Sequence, residues 1–260
     1  MTCKLSTFFI FISLLFASFS YATTVTAPVS GFARAFYTNE PVSNATITVL
    51  ETGEQIRTDD KGLFGPFNYP VGKPITLILE APGYTTVQSA TIMVPPEGLN
   101  NAYNNITFQV PSVYVYSFFT YIFEYYFGVS EDQNSCHVTS TITSYHKTMN
   151  DVPQGEEGSI VTLSPTIDNL NPFYFDIVKS GPFKGTTYPF PTGLTSTSED
   201  GGIMLFNVPA RDKPYTLSAS KDGVTFTSVQ FTCRKGMFIN ISPPRGPMAL
   251  QGKNSSYKLD

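Results

Sequence analysis

Histidine is the scarcest residue able to do chemistry in this 260-residue chain, which contains only His137 and His146. Their spacing of nine is odd, so on one continuous strand the two side chains would face opposite sides of the sheet. We therefore expect both histidines at the surface or at strand ends, without a shared metal. Gly-x-Ser-x-Gly, His-Glu-x-x-His, phosphate-loop and paired-cysteine zinc motifs are also missing. The sequence predicts no catalytic residues, no metal site and no cofactor.

Clusters of basic residues are also missing. The chain has 16 Lys and Arg against 20 Asp and Glu, a formal net charge of −4, and no Lys/Arg block. Binding to nucleic acid generally needs a clustered basic face. We predict no nucleic-acid partner.

No apolar run in the sequence is long enough to span a bilayer. The apolar run at residues 8–19 follows Lys4, and Ser20 and Ala22 place small residues at the −3 and −1 positions of a cleavage site. This layout is typical of a secretory signal peptide. We predict that residues 1–22 are removed after Ala22 and that the mature chain is secreted or periplasmic.

Only three cysteines are present, and Cys3 would leave with the signal peptide. An even pair in an exported chain predicts a disulfide, here Cys136–Cys233. It would close a loop of about 97 residues, which stabilises the fold by about 4–5 kcal/mol in the chain-entropy model. Two free, buried cysteines are the alternative.

The chain contains an internal repeat, in which order, spacing and residue type agree with single-residue adjustments. The first copy contains Thr58-Asp-Asp-Lys-Gly62, Phe67-Asn-Tyr-Pro70, Lys73-Pro-Ile-Thr-Leu77 and Gly83-Tyr-Thr85. The second contains Ser198-Glu-Asp-Gly-Gly202, Phe206-Asn-Val-Pro209, Lys213-Pro-Tyr-Thr-Leu217 and Gly223-Val-Thr225. Such self-similarity indicates a tandem duplication.

Each copy has the pattern of antiparallel strands. Apolar and polar residues alternate at residues 46–49 and 76–81, the period of a half-buried strand. Acidic residues before Gly62 and Gly202 favour tight turns. A lone hairpin is marginally stable, so two facing sheets per copy are expected.

The first copy resembles the carboxypeptidase regulatory-like family through Ala45-Thr-Ile-Thr-Val49, the Thr58–Gly62 turn, Pro70-Val-Gly72 and Ala81-Pro-Gly-Tyr84. The resemblance implies an all-β protein of tandem immunoglobulin/transthyretin-like β-sandwiches. The first would occupy residues 23–111, and the second, more divergent one residues 136–246. Residues 247–260 would be a disordered tail. In that family the module is usually an accessory piece without chemistry.

Residues 113–129 are dense in aromatics, with Ser117, Thr120 and Glu124 spaced as a polar stripe on a helix and Gly128 suited to its cap. We predict a short aromatic-rich helix joining the sandwiches, followed by a linker, within residues 112–135. At about 22 Å it is too short for a bilayer. Burial between the modules, an interfacial membrane or partner-binding helix and a continued strand remain open, and any membrane contact would involve residues 113–129.

Two further patterns concern possible calcium ligands and glycosylation. Asp59 with Asp60, and Glu199 with Asp200, could contribute calcium ligands, but a full site needs six to eight oxygens. We predict hydrogen-bonded turns there instead. Glycosylation sequons begin at Asn44, Asn105, Asn240 and Asn254.

The leading hypothesis is an exported, non-catalytic binding or structural module for an unknown protein or glycan ligand. Its candidate ligand surface is the aromatic stretch at residues 173–190, within the long connection at residues 165–195, through Phe173, Tyr174, Phe175, Tyr188 and Phe190. The same residues could instead cap the core. The competing hypothesis is a secreted hydrolase or metal-dependent oxygenase on a transthyretin-like scaffold. Intradiol dioxygenases have a similar sandwich, but this chain lacks their closely spaced histidine pair.

Overall fold

The computed structural model describes residues 24–251 except 102, 183, 189, 191 and 192. The predicted signal peptide and residues 252–260 of the predicted tail lie outside this range. Met248 and Ala249, also predicted to be in the disordered tail, form bridges with Thr143 and Phe226, and Ala249 is fully buried, so the predicted start of the tail is wrong. The described chain is built of strands, with the 15-residue helix α1 (Val113–Phe127) between two sandwich units. The all-β class and the short aromatic-rich helix are therefore confirmed.

Among the described residues, nine strands precede α1 and form the first sandwich. They are β1 (Thr26–Ala35), β2 (Thr46–Val49), β3 (Gln55–Arg57), β4 (Leu63–Pro70), β5 (Pro74–Ile75), β6 (Leu77–Glu80), β7 (Val87–Gln88), β8 (Ile92–Met93) and β9 (Ile106–Val110). The sheet β4-β1-β9 lies on one side of its core, and strands β7, β6, β2 and β3 lie on the other. In β1, buried positions alternate with partly exposed ones, as expected for a strand with one buried face.

In the part of the chain after α1 that the structure describes, nine strands form the second sandwich. They are β10 (Ser135–Thr141), β11 (Ile160–Ser164), β12 (Phe173–Tyr174), β13 (Asp176–Ile177), β14 (Thr187–Tyr188), β15 (Gly202–Pro209), β16 (Tyr215–Ser220), β17 (Val229–Phe231) and β18 (Phe238–Ile241). Strands β12, β15, β10 and β18 form one layer and β11, β16 and β17 the other. The short ribbon β13–β14 belongs to the long connection between β11 and β15.

The strand pairing repeats between the two sandwiches, as the repeated sequence predicts. Strand β1 pairs antiparallel with β4 and parallel with β9, and β10 pairs antiparallel with β15 and parallel with β18. Each antiparallel pairing contains one register shift, between Val29 and Gly31 in β1 and between Cys136 and Val138 in β10. The order β2-β6-β7 likewise recurs as β11-β16-β17. One difference is that β2 also pairs with β3, whereas β11 has no such neighbour among the described residues.

One eight-stranded sheet, β12-β15-β10-β18-β7-β6-β2-β3, runs through both sandwiches. It is continuous because β18 pairs parallel with β7, with Phe238 opposite Val87 and Ile239 opposite Gln88. The two units are therefore fused through backbone hydrogen bonds and are not separated by a free linker.

Strand β15 is buried on both faces. Ile203 and Leu205 point into the core of the second sandwich, while Met204 and Phe206 belong to the apolar cluster that includes the first sandwich and α1. This double burial explains why β15 has an uninterrupted apolar run where a one-sided strand would alternate. Helix α1 packs against the outer face of this sheet.

The predicted disulfide between Cys136 and Cys233 is present, with Cα atoms 5.6 Å apart. Cys136 lies in β10, in the shared sheet, and Cys233 lies two residues after β17, in the opposite layer. The bond therefore joins the two sheets of the second sandwich. In the part of the chain that the structure describes, no helix has the length and apolar content needed to cross a membrane.

Candidate functional site

Both ends of helix α1 are capped by the residues that flank it. The Ser112 hydroxyl accepts a hydrogen bond from the Val115 N–H (3.3 Å), which satisfies one of the free donors of the first turn. Gly128 has a left-handed φ of 64°, and its N–H donates to the Glu124 carbonyl. This end corresponds to the glycine cap predicted from the sequence.

The inner face of α1 packs against aromatic residues of both sandwiches. Phe119 contacts Phe36 of the first unit and Phe175 of the second, with ring centroids 5.7 and 6.2 Å apart. Phe123 stacks on Phe206 of β15 at 4.4 Å. Only Phe119, Ile122 and Phe123 of the fifteen helix residues are buried. The helix thus lies on the surface across the two units, with most of its outer side in solvent.

That outer side carries a stripe of exposed aromatic residues. Tyr114, Phe118, Tyr121 and Tyr125 are spaced at i, i+4, i+7 and i+11, which places them along one line of the helix. They are 42–84% exposed. The predicted polar residues Ser117 and Glu124 are exposed as well. We call the four aromatic residues the α1 stripe.

A groove of about 480 Å³ lies beside the C-terminal half of α1. Its lining is Phe123, Phe127, Val129, Asn169, Leu170, Asn171, Pro172, Phe173, Tyr174, Gly193, Leu194 and Phe206. Aromatic and aliphatic side chains dominate, and Asn169 and Asn171 supply the amide groups. Both asparagines are exposed, and neither side chain is hydrogen-bonded to another described residue. Pockets of this size and composition are typical of small-ligand sites.

The five aromatic residues of the predicted ligand surface fall into three places. Phe173 and Tyr174 line the groove, although Tyr174 is 5% exposed and its hydroxyl accepts a hydrogen bond from the Val161 N–H (3.1 Å). Phe175 is buried beneath α1. Tyr188 and Phe190 contact each other, and Phe190 packs on Phe118 of the α1 stripe. Two of the five thus belong to the core, as the alternative interpretation held.

Several groove residues were not predicted from the sequence, because the predicted ligand surface included only aromatic residues of the connection. Asn169 and Asn171 lie in that connection, and Phe127 and Val129 in the predicted helix segment. The only local pattern that could have indicated them is the pair of asparagines on either side of Leu170, directly before Pro172. That these asparagines lie near Phe127 depends on tertiary packing, which no local sequence pattern indicates.

His137 is 1% exposed and is the third of the seven residues of β10, so the expectation that it lies at the surface or at a strand end is wrong. Its Nδ1 accepts a hydrogen bond from the Asn207 N–H (3.1 Å), and its Nε2 lies 3.4 Å from Glu131 Oε1. The Tyr116 hydroxyl donates to the same carboxylate oxygen (2.6 Å). Burial lowers the pKa of His137, and the nearby Glu131 acts in the opposite direction. Burial and the bond to Glu131 both raise the pKa of Tyr116.

His146 is exposed and lies against Tyr145 and Tyr103. Among the residues that the structure describes, no three His, Cys, Asp or Glu side chains gather in a way that could hold a metal ion.

The acidic repeats form hydrogen-bonded turns. Asp59 Oδ1 accepts hydrogen bonds from the N–H groups of Lys61 and Leu63, both at 2.8 Å. Asp200 accepts from the Thr187 hydroxyl (2.7 Å) and the Gly202 N–H (3.0 Å). Such bonds stabilise a tight turn before glycine.

Of the four sequons, Asn44 is exposed, with its side-chain oxygen accepting a bond from Arg57. Asn240 is buried in β18, and the buried Oδ1 of Asn105 has no hydrogen-bond partner among the described residues. Asn254 lies outside the described residues. Asn44 is therefore the most accessible of the described sequons.

Comparison with known proteins gives distant structural similarity only. No protein-family model matches the chain, and no curated protein matches it. The chain is similar to the shaft pilin SpaA of Lactobacillus rhamnosus GG, with 12% identity over 87% of this chain and 97% of that one and a TM-score of 0.25. It is also similar to the Bacillus anthracis TIE protein (12% identity, TM-score 0.25), where 86% of this chain spans 34% of the other. A streptococcal ancillary pilin aligns at 10% identity over 87% of this chain and 63% of that one, with a TM-score of 0.24. We draw no conclusion about function from similarity at this level.

Proposed function

We propose that the chain is an exported, non-catalytic carbohydrate-binding module whose ligand lies in the groove beside α1. The observation that carries the proposal is the lining of this groove, where several aromatic rings stand beside two asparagine amides with no partner among the described residues. The resemblance to carboxypeptidase regulatory-like modules and the predicted signal peptide support the same class of function.

The chemistry of the lining matches that of a sugar ring. A pyranose has apolar C–H faces that pack against aromatic rings, and hydroxyl groups on its rim that need hydrogen-bond partners. The rings of Phe127 and Phe173 supply the first kind of contact. An amide such as Asn171 offers both a donor and an acceptor to neighbouring hydroxyls.

The groove favours a neutral ligand. Among the described residues, the twelve that line it include no Asp, Glu, Lys, Arg, His, Cys or Ser. Sugar hydrolysis generally needs two carboxylates flanking the bond that breaks. A neutral glycan bound without cleavage is therefore the best match.

Glycan-array binding of the mature chain, followed by calorimetric titration with the best neutral oligosaccharide, tests the proposal. We expect Asn171→Ala to weaken binding by about tenfold, since two hydrogen bonds of about 1 kcal/mol each are worth somewhat more than that. Phe127→Ala removes a stacking ring and should weaken binding to a similar extent. Both residues are exposed, so neither substitution should unfold the protein.

Tyr125→Ala is the matched control, because Tyr125 is 67% exposed on the same helix but does not line the groove. The proposal fails if no neutral glycan binds, or if Asn171→Ala and Phe127→Ala bind as tightly as Tyr125→Ala does.

A protein partner is the second candidate, favoured by the α1 stripe. Aromatic residues at helical spacing are the usual anchors where a helix meets another protein. In that case Tyr121→Ala and Tyr125→Ala would abolish capture of the partner while groove variants retained it.

The competing enzyme hypothesis has a separate test. Stoichiometric iron or zinc in the purified mature chain would favour a metal-dependent oxygenase or hydrolase over a binding module.

A further inference from the structure

A second cleft, of about 500 Å³, lies along the seam between the sandwiches and away from the groove. The first unit contributes residues 91–93 and Tyr103 to its lining, and the second contributes residues 227–230, 244–246 and 248. The Thr91 N–H donates to the Gln230 carbonyl (2.9 Å), which ties the two units together at the cleft. Clefts between domains are frequent ligand sites.

Arg245 is the only charged residue among the described residues that line this cleft. Its Nε donates to the Asn105 carbonyl (3.0 Å), but its Nη2 is buried without a hydrogen-bond partner among the described residues. None of the ion pairs formed by the described residues includes Arg245. Burial lowers the pKa of this guanidinium to about 10, which still leaves it charged at neutral pH.

A buried cation with neither an anion nor a full set of acceptors destabilises a fold, and an unsatisfied buried donor calls for an explanation. Guanidinium groups pair well with carboxylates because two parallel N–H donors match the two oxygens. The exposed Ser228 and Gln230 offer further hydrogen-bonding groups in the same cleft, and Met93 and Met248 offer apolar surface.

We propose that the seam cleft binds a ligand through a single carboxylate that pairs with Arg245. One cation in the lining matches one negative charge, so a monoanion fits better than a phosphate dianion. The apolar side chains around it suit a ligand whose carboxylate is attached to a partly apolar body. A peptide C-terminus and an acidic sugar share this chemistry, and binding measurements distinguish them. The proposal is independent of the groove, since the two linings share no residue.

Calorimetric titration of the mature chain with four small probes tests the site. The probes are N-acetyl-leucinate for a peptide C-terminus, glucuronate for an acidic sugar, N-acetyl-leucinamide as the uncharged analogue, and inorganic phosphate as the dianion. We expect saturable binding of at least one carboxylate, with the amide bound about tenfold or more weakly because it lacks the charge-assisted bond. The carboxylate that binds identifies the source.

Arg245→Gln should weaken carboxylate binding by about tenfold or more, while Lys235→Gln, which removes an exposed charge outside the cleft, should leave it unchanged. Removing an unpaired buried charge should leave the melting temperature equal or higher. Ser228→Trp, at an exposed position, should block the cleft without touching Arg245.

The proposal is overturned if neither carboxylate binds, if the amide binds as tightly as the carboxylate, or if inorganic phosphate binds more tightly. It is also overturned if Arg245→Gln and Ser228→Trp both leave carboxylate binding unchanged.

Discussion

The imidazole of His137 meets groups from three separate segments of the chain. Phe206 stacks on it with centroids 4.1 Å apart, and Tyr116 and Glu131 lie on its Nε2 side. Because Nδ1 accepts the Asn207 N–H, the neutral ring carries its proton on Nε2. Protonating Nδ1 would turn this acceptor into a donor facing another donor. The neutral form is therefore the one that fits the folded protein, despite the nearby Glu131.

The lowered pKa of His137 predicts lower stability in acid. The unfolded chain has an ordinary histidine pKa of about 6.5, so below that pH it binds a proton that the folded chain does not. The free energy of unfolding should then fall as the pH falls from about 7 to about 5, by at most about 1.4 kcal/mol per pH unit from this group. Urea denaturation at both pH values measures the loss.

His137→Gln keeps an acceptor for Asn207 but cannot titrate, so it should lose about 1 kcal/mol less than the parent over that interval. His146→Gln, at an exposed histidine, should behave as the parent does. Equal losses in His137→Gln and the parent would show that the buried imidazole does not control this dependence. Glu131 and Asp132, which face His137, are present in both proteins, so they do not account for a difference between the two.

The buried face of helix α1 should contribute to the stability of the fold, whereas its exposed face should not. Phe123→Ala should lower the free energy of unfolding by about 3–5 kcal/mol, because it leaves a cavity against Phe206 at a nearly fully buried site. Tyr125→Ala, two positions on and 67% exposed, should change it by less than about 0.5 kcal/mol. Chemical denaturation of the two variants gives the comparison. Similar losses in both would contradict the orientation of the helix.

The elements differ in how much of them could be predicted from the sequence. The turn before Gly62 and the cap at Gly128 have local signatures, and the structure contains both. The burial of His137 could not be predicted from the alternation of side chains along β10. Alternation separates buried positions from exposed ones only where one face of the strand meets solvent. Both faces of this strand are buried, the outer one beneath α1 and its aromatic neighbours.

The candidate groove could be predicted only in part from the sequence. The aromatic composition of the connection pointed to Phe173, which lines the groove, and equally to Phe175, which is buried beneath α1. Composition alone does not tell a core ring from a ligand-facing one. That distinction depends on where α1 crosses the sheet, which is set by contacts distant in sequence.

At the scale of the whole molecule, the shared sheet determines how the two sandwiches behave. The repeat correctly predicted two similar units, but the pairing of β7 with β18 joins segments about 150 residues apart through two residue pairs. Such a parallel, long-range pairing has no connecting turn, so no local sequence signal marks it. A shared sheet with a disulfide-linked second unit favours a single unfolding transition over two independent ones.

Gln88 is the residue through which this seam can be tested. It is fully buried in β7, its Nε2 donates to the Thr232 carbonyl (2.9 Å), and its Oε1 accepts from Arg234 Nη1 (2.7 Å). Both partners belong to the second sandwich. Nearby, the Thr107 hydroxyl donates to the Pro243 carbonyl (2.7 Å), again across the seam. Buried polar bonds of this kind are costly to leave half-made.

Gln88→Leu keeps a similar volume but leaves the Thr232 carbonyl and the Arg234 guanidinium without these bonds, so we expect a loss of about 2–3 kcal/mol. Since the loss falls on contacts between the units, the first sandwich should become less coupled to the second. Scanning calorimetry should then show the parent unfolding in one transition, and the variant with a calorimetric enthalpy above its van't Hoff enthalpy. Gln55→Leu, on the exposed edge strand β3, should leave both the stability and the single transition unchanged. Two transitions already present in the parent would mean that the β7–β18 pairing does not join the sandwiches energetically.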